Sequence, residues 1–199
     1  MKKFILASAS PRRRELLEQI GLDFDILVAN ADEKGIDKNL PPKVYTCELA
    51  VLKASACCKV LIEKAQKNNY VIAADTIVYL DNTILGKPKD EEDAKRILKK
   101  LSGREHEVYT GVCIMRTKDG FGVSKSVKTT VKFKDLSDIE IDKYIKTGEP
   151  MDKAGAYGIQ GLGSVFVEEI KGDYFNVVGL PLGEVYKILN EEFNIGVLN

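Results

Sequence analysis

Residues 4–17, Phe4-Ile5-Leu6-Ala7-Ser8-Ala9-Ser10-Pro11-Arg12-Arg13-Arg14-Glu15-Leu16-Leu17, set the architecture of this chain. The apolar residues before Ser8 predict a short buried strand. Ser10 in the N-cap position and Pro11 in the first helical position predict a helix that begins at once, and Gly21 predicts where it ends. A strand that leads directly into a helix places backbone N–H groups and the positive end of the helix dipole at one corner.

This strand-to-helix corner is suited to an anion. Ser8 and Ser10 add hydroxyl donors, and Arg12, Arg13 and Arg14 add positive charge. Consecutive residues on a helix lie about 100° apart around its axis, so at most two of the three guanidinium groups can reach one ligand. A solvated basic first turn is the alternative, but basic residues there oppose the helix dipole unless an anion is bound. The corner therefore predicts a phosphate site.

Composition narrows the classes of function. The 199 residues carry 30 Lys and Arg against 30 Asp and Glu, so the formal net charge is zero. A nucleic-acid or membrane-surface binder would have a basic excess, and we therefore expect neither partner. Apolar runs are too short for a membrane span, and residues 12–15 interrupt the N-terminal apolar segment too early for a signal peptide. Together with four cysteines that lack metal-site spacing, these features predict a cytoplasmic protein with reduced thiols.

Hydrophobic patterns predict the elements that follow. We expect a second strand over residues 24–29 and a long helix from Lys43, with a polar loop between them. The next strand begins at Tyr70, and two later strands meet in a hairpin at Asp119-Gly120. The buried stripe predicted for the long helix comprises Val44, Cys47, Val51, Ala54, Cys58, Leu61 and Ala65.

Asp75 is an acid inside the apolar strand that begins at Tyr70. A buried carboxylate is costly unless it meets a cation, hydrogen-bond donors or a metal. A turn aspartate at a strand break is the alternative, but the apolar context favours a metal ligand or a base. Lys87 lies between Gly86 and Pro88, where a rigid backbone can aim its ammonium group. Lys53 lies off the predicted stripe, and periodicity alone predicts that it is solvated.

Two other features allow more than one interpretation. His106, the only histidine, is expected in a turn with a structural role, and a Ser-His-Asp hydrolase is disfavoured because the chain has no Gly-x-Ser-x-Gly motif. Residues 149–163 carry several glycines, which allow positive φ and close approach of the backbone. Interleaved polar residues, among them Lys153 and Gln160, indicate a segment that lines a ligand at least as much as a tight connection.

Taken in order, these motifs closely resemble those of the Maf family of nucleoside triphosphate pyrophosphatases, and the resemblance spans nearly the whole chain. The motifs that carry it are Ser8-Ala9-Ser10-Pro11-Arg12-Arg13, Ala74-Asp75-Thr76, Gly86-Lys87-Pro88, Ser102-Gly103 with His106, Thr110-Gly111-Val112, Asp152-Lys153-Ala154-Gly155-Ala156-Tyr157 with Ile159-Gln160-Gly161, and Asn176-Val177-Val178-Gly179-Leu180-Pro181-Leu182. The resemblance implies an α/β fold of the inosine triphosphate pyrophosphatase type, an elongated, two-lobed mixed β-sheet flanked by helices with a central groove. It also implies that residues 1–199 form a single domain, with two lobes around that groove.

The resemblance implies a reaction in which a nucleoside triphosphate and water give the monophosphate and pyrophosphate, with Mg²⁺ or Mn²⁺ as the divalent cation. It assigns Asp75 as the acid that accepts the proton from water or holds the metal, and Glu33 as a second acidic position at the metal. The expected substrate-binding residues are Ser8, Ser10, Arg12, Arg13, Lys53, Lys87 and Lys153. Neither Glu33 nor Lys53 has a signal of its own in the sequence.

The family's specificity positions correspond to Arg12, Thr76 and Gln160, and Ile159-Gln160-Gly161 resembles the dTTP/UTP branch rather than the 7-methyl-GTP branch. A glutamine amide presents an N–H₂ and a C=O that complement O4 and N3–H of thymine or uracil. A flipped amide also complements cytosine, so CTP and modified pyrimidine nucleotides are further candidate substrates. Two further functions stay open: a pyrophosphatase for non-standard purine nucleotides and a nucleotide-binding regulator of septum formation. A nucleoside triphosphate is the expected partner, and the oligomeric state is open, with a homodimer allowed.

Overall fold

The computed structural model describes residues 3–66 and 68–197. The strands and helices in this part are, in chain order, β1 (Lys3–Leu6), α1 (Pro11–Gln19), β2 (Phe24–Ile26), α2 (Pro42–Glu63), β3 (Asn69–Leu80), β4 (Thr83–Leu85), α3 (Glu91–Leu101), β5 (Glu105–Arg116), β6 (Gly122–Phe133), α4 (Asp138–Ile145), β7 (Val167–Lys171), α5 (Tyr174–Val178) and α6 (Leu182–Lys187). The strands form one mixed sheet in the order β2-β1-β3-β5-β6-β7, and β4 pairs with β3. The predicted α/β class with a mixed sheet is therefore confirmed.

The chain divides into two compact units. The first unit comprises the described residues up to Asp75, Thr110–Val127, and those from Gly179 onward. The second unit comprises Thr76–Tyr109 and Lys128–Val178. The arrangement of two lobes around one groove stays a prediction.

In the first unit, β1 pairs in parallel with both β2 and β3. Leu6 is opposite Ile26 on one side and Ile72 on the other. The predicted second strand over residues 24–29 is too long, because β2 ends at Ile26. The physical reason is that β1 ends at Leu6, where the chain turns toward α1, so residues beyond the bond from Leu27 N to Leu6 O have no strand to pair with.

Helix α2 supplies much of the core of the first unit. Its predicted buried stripe is confirmed at Ala54, Cys58 and Leu61 but is wrong at both ends. Val44 is 43% exposed, and Ala65 lies beyond the end of the helix with a φ of 59°. The observed buried residues are Tyr45, Thr46, Leu49, Ala50, Ala54, Cys57, Cys58 and Leu61. A Cβ added to Gly111 of β5 would lie 2.1 Å from the carbonyl oxygen of Thr46, so the helix approaches that strand at a small residue. Close backbone approach, rather than apolarity, selects the face that contains Thr46.

No helix in residues 3–66 and 68–197 combines the length and the hydropathy that a membrane span needs. Two helices of the second unit begin with side-chain caps. Asp90 accepts from Asp93 N at 2.7 Å to start α3, and Ser137 and Glu140 form a capping box at α4. These caps satisfy N–H groups that have no partner inside the helix.

Candidate functional site

Ser8 and Asp75 are brought together by the pairing of β1 with β3. Leu6 is opposite Ile72, and Ala7 N donates to the Ile72 carbonyl at 2.8 Å. Ser8 follows Leu6 by two residues, and Asp75 follows Ile72 by three residues along β3. The helix α1 begins at Pro11, so its positive end lies at the same corner.

Ser8 organises this corner. Its hydroxyl oxygen accepts from the Ser10 backbone N–H at 3.2 Å and from Arg13 Nη1 at 3.1 Å, and its side chain is buried. Arg13 Nε also donates to the Gly179 carbonyl at 2.8 Å. Ser10 occupies the N-cap position of α1 but its side chain makes no capping hydrogen bond, which differs from the usual role of such a serine. The two hydrogen bonds of Arg13, to Ser8 and to the Gly179 carbonyl, therefore fix the orientation of its guanidinium group.

The charge of Asp75 acts directly on Arg13. Burial lowers the pKa of Arg13, the negative charge of Asp75 opposes that effect, and the positive charge of Arg12 adds to it. The guanidinium stays protonated at any physiological pH. The arginine corner and Asp75 therefore share one electrostatic environment within the first unit.

Lys53 links Asp75 to Glu33. Its ammonium forms an ion pair with Asp75 Oδ1 and lies 3.1 Å from Glu33 Oε1. The exposed fractions of the side chains are 22% for Lys53, 16% for Asp75 and 50% for Glu33. The prediction from periodicity that Lys53 is solvated is therefore wrong, because the tertiary fold provides two carboxylates for its ammonium. Three separate elements, α2, β3 and the 3-10 turn Glu33–Gly35, contribute to this cluster.

Tyr45 is a neighbour of this cluster that the sequence analysis misses. Its side chain is buried on α2. Burial raises the pKa of Tyr45, and the charges of Asp75 and Glu33 raise it further, so the phenol stays neutral beside the two carboxylates. An aromatic residue near the start of an amphipathic helix has no feature that separates it from an ordinary core residue, so the sequence carries no signal for it.

In the second unit, the turn with Lys87 is joined to the glycine-rich segment. Gly155 N donates to the Gly86 carbonyl at 3.0 Å. Gly155 has a φ of +70°, and an added Cβ would lie 2.7 Å from the side chain of Val78, so only glycine fits. Lys87 itself is exposed, and Thr76 is half-buried in β3.

Lys153 and Gln160 lie in different surroundings within that segment. The ammonium of Lys153 donates to the Glu149 carbonyl and to Asp152 Oδ1, both at 2.7 Å, and the side chain is 14% exposed. Gln160 is exposed, in the turn between Gly158 and Gly163. A contact of either residue with substrate stays a prediction.

His106 has a structural position. It lies in β5 rather than in a turn, so the predicted location is wrong, and its side chain is buried. Nε2 is 2.8 Å from the Tyr157 hydroxyl, and the ring contacts Phe133 edge to face. Burial lowers the pKa of His106 to about 4, so the imidazole is neutral at pH 7. A catalytic proton carrier near neutral pH would need a higher pKa and access to substrate.

Comparison with known proteins shows one family match and a set of relatives that carry the same name. The family model described as "Maf-like protein" matches residues 3–192. A dTTP/UTP pyrophosphatase from Thermoanaerobacter sp. (strain X514) is 50% identical over 98% of this chain and 100% of its own length. Another from Clostridium novyi is 53% identical over 95% and 97% of the two chains, and one from Alkaliphilus metalliredigens is 48% identical over 100% of both.

Solved structures match more remotely. A nucleoside-triphosphatase, dITP/XTP pyrophosphatase, from Mycobacterium abscessus has a TM-score of 0.45 and 13% identity, covering 98% of this chain and 95% of that one. A HAM1 protein from Coxiella burnetii also has a TM-score of 0.45, with 14% identity, covering 67% of this chain and 73% of that one.

Proposed function

The chain belongs to the Maf family, and on that premise we propose that it hydrolyses dTTP and UTP to the monophosphate and pyrophosphate. CTP and modified pyrimidine nucleotides fall in the same proposed substrate class. The observation that carries the proposal is the cluster of Arg13, Lys53, Asp75 and Glu33 in the first unit. This cluster combines cations that suit a polyphosphate with a carboxylate that suits a water molecule.

The arginine corner is proposed to bind the triphosphate. The substrate carries about four negative charges near neutral pH, and preorganised cations stabilise them. Arg13 is already oriented by Ser8 and the Gly179 carbonyl, so little side-chain entropy is lost when it binds. Ser10 and Arg12 extend the same positive end of α1. In the second unit, Lys87 and Lys153 are the further proposed phosphate ligands.

Asp75 is proposed to accept the proton of the attacking water. Water oxygen bonds to the α-phosphorus, the bond from that phosphorus to the pyrophosphate oxygen breaks, and the water proton passes to the carboxylate. The ion pair with Lys53 holds the Asp75 side chain in one orientation, which serves positioning.

The donor set of the cluster fits Mg²⁺ or Mn²⁺. Within residues 3–66 and 68–197 no group of three or more His, Cys, Asp or Glu side chains could hold a metal ion. Mg²⁺ is commonly held by only one or two carboxylates together with substrate phosphates and water, and Glu33 and Asp75 are two carboxylates that flank one cation already. We assign these residues as the protein's ligands; the bound ion would neutralise phosphate charge and lower the pKa of water.

Base selection is proposed to depend on Arg12, Thr76 and Gln160. The exposed amide of Gln160 offers a donor and an acceptor side by side, which complement the O4 and N3–H edge of thymine and uracil. A flipped amide would serve cytosine with the same two groups.

The experiment is a nucleotide panel scored for pyrophosphate release. Purified protein with Mg²⁺ receives dTTP, UTP, CTP, dATP, dGTP and inosine triphosphate in separate reactions, with and without a chelator. We expect turnover of dTTP and UTP that the chelator abolishes. Turnover confined to inosine triphosphate and other purines would favour the purine alternative. Tight binding of all nucleotides without pyrophosphate release would favour a regulator and contradict the proposal.

A further inference from the structure

The glycine-rich turn at 158–163 closes on one carboxylate, that of Glu149. Glu149 Oε2 accepts from Leu162 N at 2.8 Å, and Oε1 accepts from Gly163 N at 3.2 Å. The Tyr144 hydroxyl donates to Oε1 at 2.9 Å and itself accepts from Gly158 N at 3.2 Å. Both ends of the turn are therefore tied to the same pair of hydrogen-bonded side chains.

The glycines of this turn fit tightly against those side chains. A Cβ added to Gly161 would lie 2.5 Å from both carboxylate oxygens of Glu149, and one added to Gly163 would lie 2.8 Å from the Tyr144 hydroxyl oxygen. The glycine pattern therefore reflects close approach to Glu149 and Tyr144, in addition to any contact with a ligand.

The apolar side chains at the end of the turn and just after it are exposed. Leu162 and Val165 are 57% and 64% exposed. Ile159, at the start of the turn, is buried, whereas Leu162 and Gly163 are held by hydrogen bonds to a carboxylate, which are stronger than neutral ones. Burial acts to raise the pKa of Glu149, but the Leu162 and Gly163 N–H groups and the Tyr144 hydroxyl outweigh it, and the pKa is lowered overall. The carboxylate is therefore charged over the working pH range.

Gln160 lies between the anchored residues Gly158 and Leu162, and its side chain is exposed. We propose that Glu149 is a positioning residue for base selection, which fixes the turn so that the Gln160 amide meets the nucleobase in one orientation. This inference rests on the proposed function, in which Gln160 selects the base. Glu149 does not contact the substrate in this scheme, because its oxygens face the backbone of the turn and Tyr144.

The test compares Glu149→Gln, Gln160→Ala and the double variant with wild type. The kcat/KM values for dTTP and dATP give selectivity, and the Ki of inorganic tripolyphosphate, which has no base, reports the phosphate site. We expect Glu149→Gln to lower kcat/KM for dTTP about tenfold through KM, to reduce the dTTP preference similarly, and to leave the tripolyphosphate Ki unchanged. The double variant should be no less selective than Gln160→Ala, because both changes act through one group.

Two further variants keep the inference testable if Glu149→Gln folds poorly. Gly161→Ala leaves Glu149 chemically intact but forces its carboxylate to move, and its backbone φ of −105° suits alanine. It should reduce dTTP preference in the same way. Glu105→Gln is the matched control, since Glu105 is an exposed glutamate hydrogen-bonded to Lys171 at 2.8 Å, and it should match wild type.

The outcomes distinguish the proposed role of Glu149 from the proposed base selection by Gln160. Unchanged selectivity in Glu149→Gln and Gly161→Ala, with selectivity lost in Gln160→Ala, overturns the role of Glu149 and leaves base selection by Gln160 standing. Retained selectivity in Gln160→Ala overturns both. A rise in the tripolyphosphate Ki equal to the rise in KM for dTTP also overturns the inference, because it marks a general loss of structure.

Discussion

Lys53 and Asp75 form an ion pair between α2 and β3, and the same ammonium lies 3.1 Å from Glu33. One cation thus sits between two carboxylates in the cluster that also carries Arg13. Asp75, Lys53 and Arg13 each have a separate, measurable role in this arrangement.

Asp75→Asn should lower kcat by more than about a hundredfold, because the amide cannot accept the proton of water. The substitution keeps the side-chain shape, so the circular dichroism spectrum and melting temperature should stay close to wild type. Asp25→Asn is the matched control, since Asp25 pairs with Lys3 at an exposed position of the same unit. Near wild-type turnover by Asp75→Asn would remove this residue from the chemistry.

Lys53→Met should increase the affinity for Mn²⁺ in the absence of nucleotide by about tenfold, because it removes a positive charge from between Glu33 and Asp75. Electron paramagnetic resonance of free Mn²⁺ measures this binding without any assay of activity. Lys3→Met changes an exposed lysine and should leave Mn²⁺ affinity unaltered. Equal Mn²⁺ affinity in Lys53→Met and wild type would argue against a metal at these carboxylates.

Arg13→Ala should raise KM for dTTP about tenfold to a hundredfold, because a charge-assisted contact contributes roughly 1.5–3 kcal/mol. The Ki of tripolyphosphate should rise by the same factor. Arg14→Ala is the control from the next position on α1, where the guanidinium is exposed and hydrogen-bonded to Glu18 at 2.8 Å. If both variants had the same KM, the phosphate contact would belong to another residue.

Gln160→Glu should abolish the preference for dTTP and UTP over dATP, because a carboxylate has no N–H₂ donor for the O4 of the base. Competition between dTTP and dATP in one reaction measures the preference directly. Gln19→Glu, an exposed change of the same chemistry on α1, should have no effect. Retained preference in Gln160→Glu would place base recognition at other residues.

The free energy of unfolding should decrease at acid pH because of the buried His106. Burial lowers the pKa of His106 to about 4 in the folded chain, from about 6.5 for an exposed imidazole, so the unfolded chain binds more protons between these two values. The stabilisation is complete above pH 6.5 and is lost as pH falls toward 4, by up to about 3 kcal/mol. Urea unfolding of wild type and His106→Gln at pH 7 and pH 4.5 measures it, and an equal loss in both proteins would assign the acid sensitivity to other groups.

The corner at residues 8–13 could be predicted because its signals are local. A short apolar run, a serine, a proline and adjacent arginines specify a strand, a helix start and a charge, with no need for distant residues. The second strand and the stripe on α2 were predicted less accurately. The length of β2 depends on where its partner β1 ends. The face that α2 buries near its start depends on Gly111, which is 65 residues from the Thr46 it approaches.

By itself the sequence determined the α/β class, the strand-to-helix corner and the presence of an acid, Asp75, within an apolar strand, because each depends on residue type and short-range order. The order of the motifs along the chain determined the family. Only the tertiary structure decided that Lys53 joins Asp75 to Glu33, that Tyr45 lies beside them and that Glu149 holds the turn of Gln160. These contacts join residues from separate elements, and a side chain's partners across elements follow from packing and strand register, which no local pattern encodes.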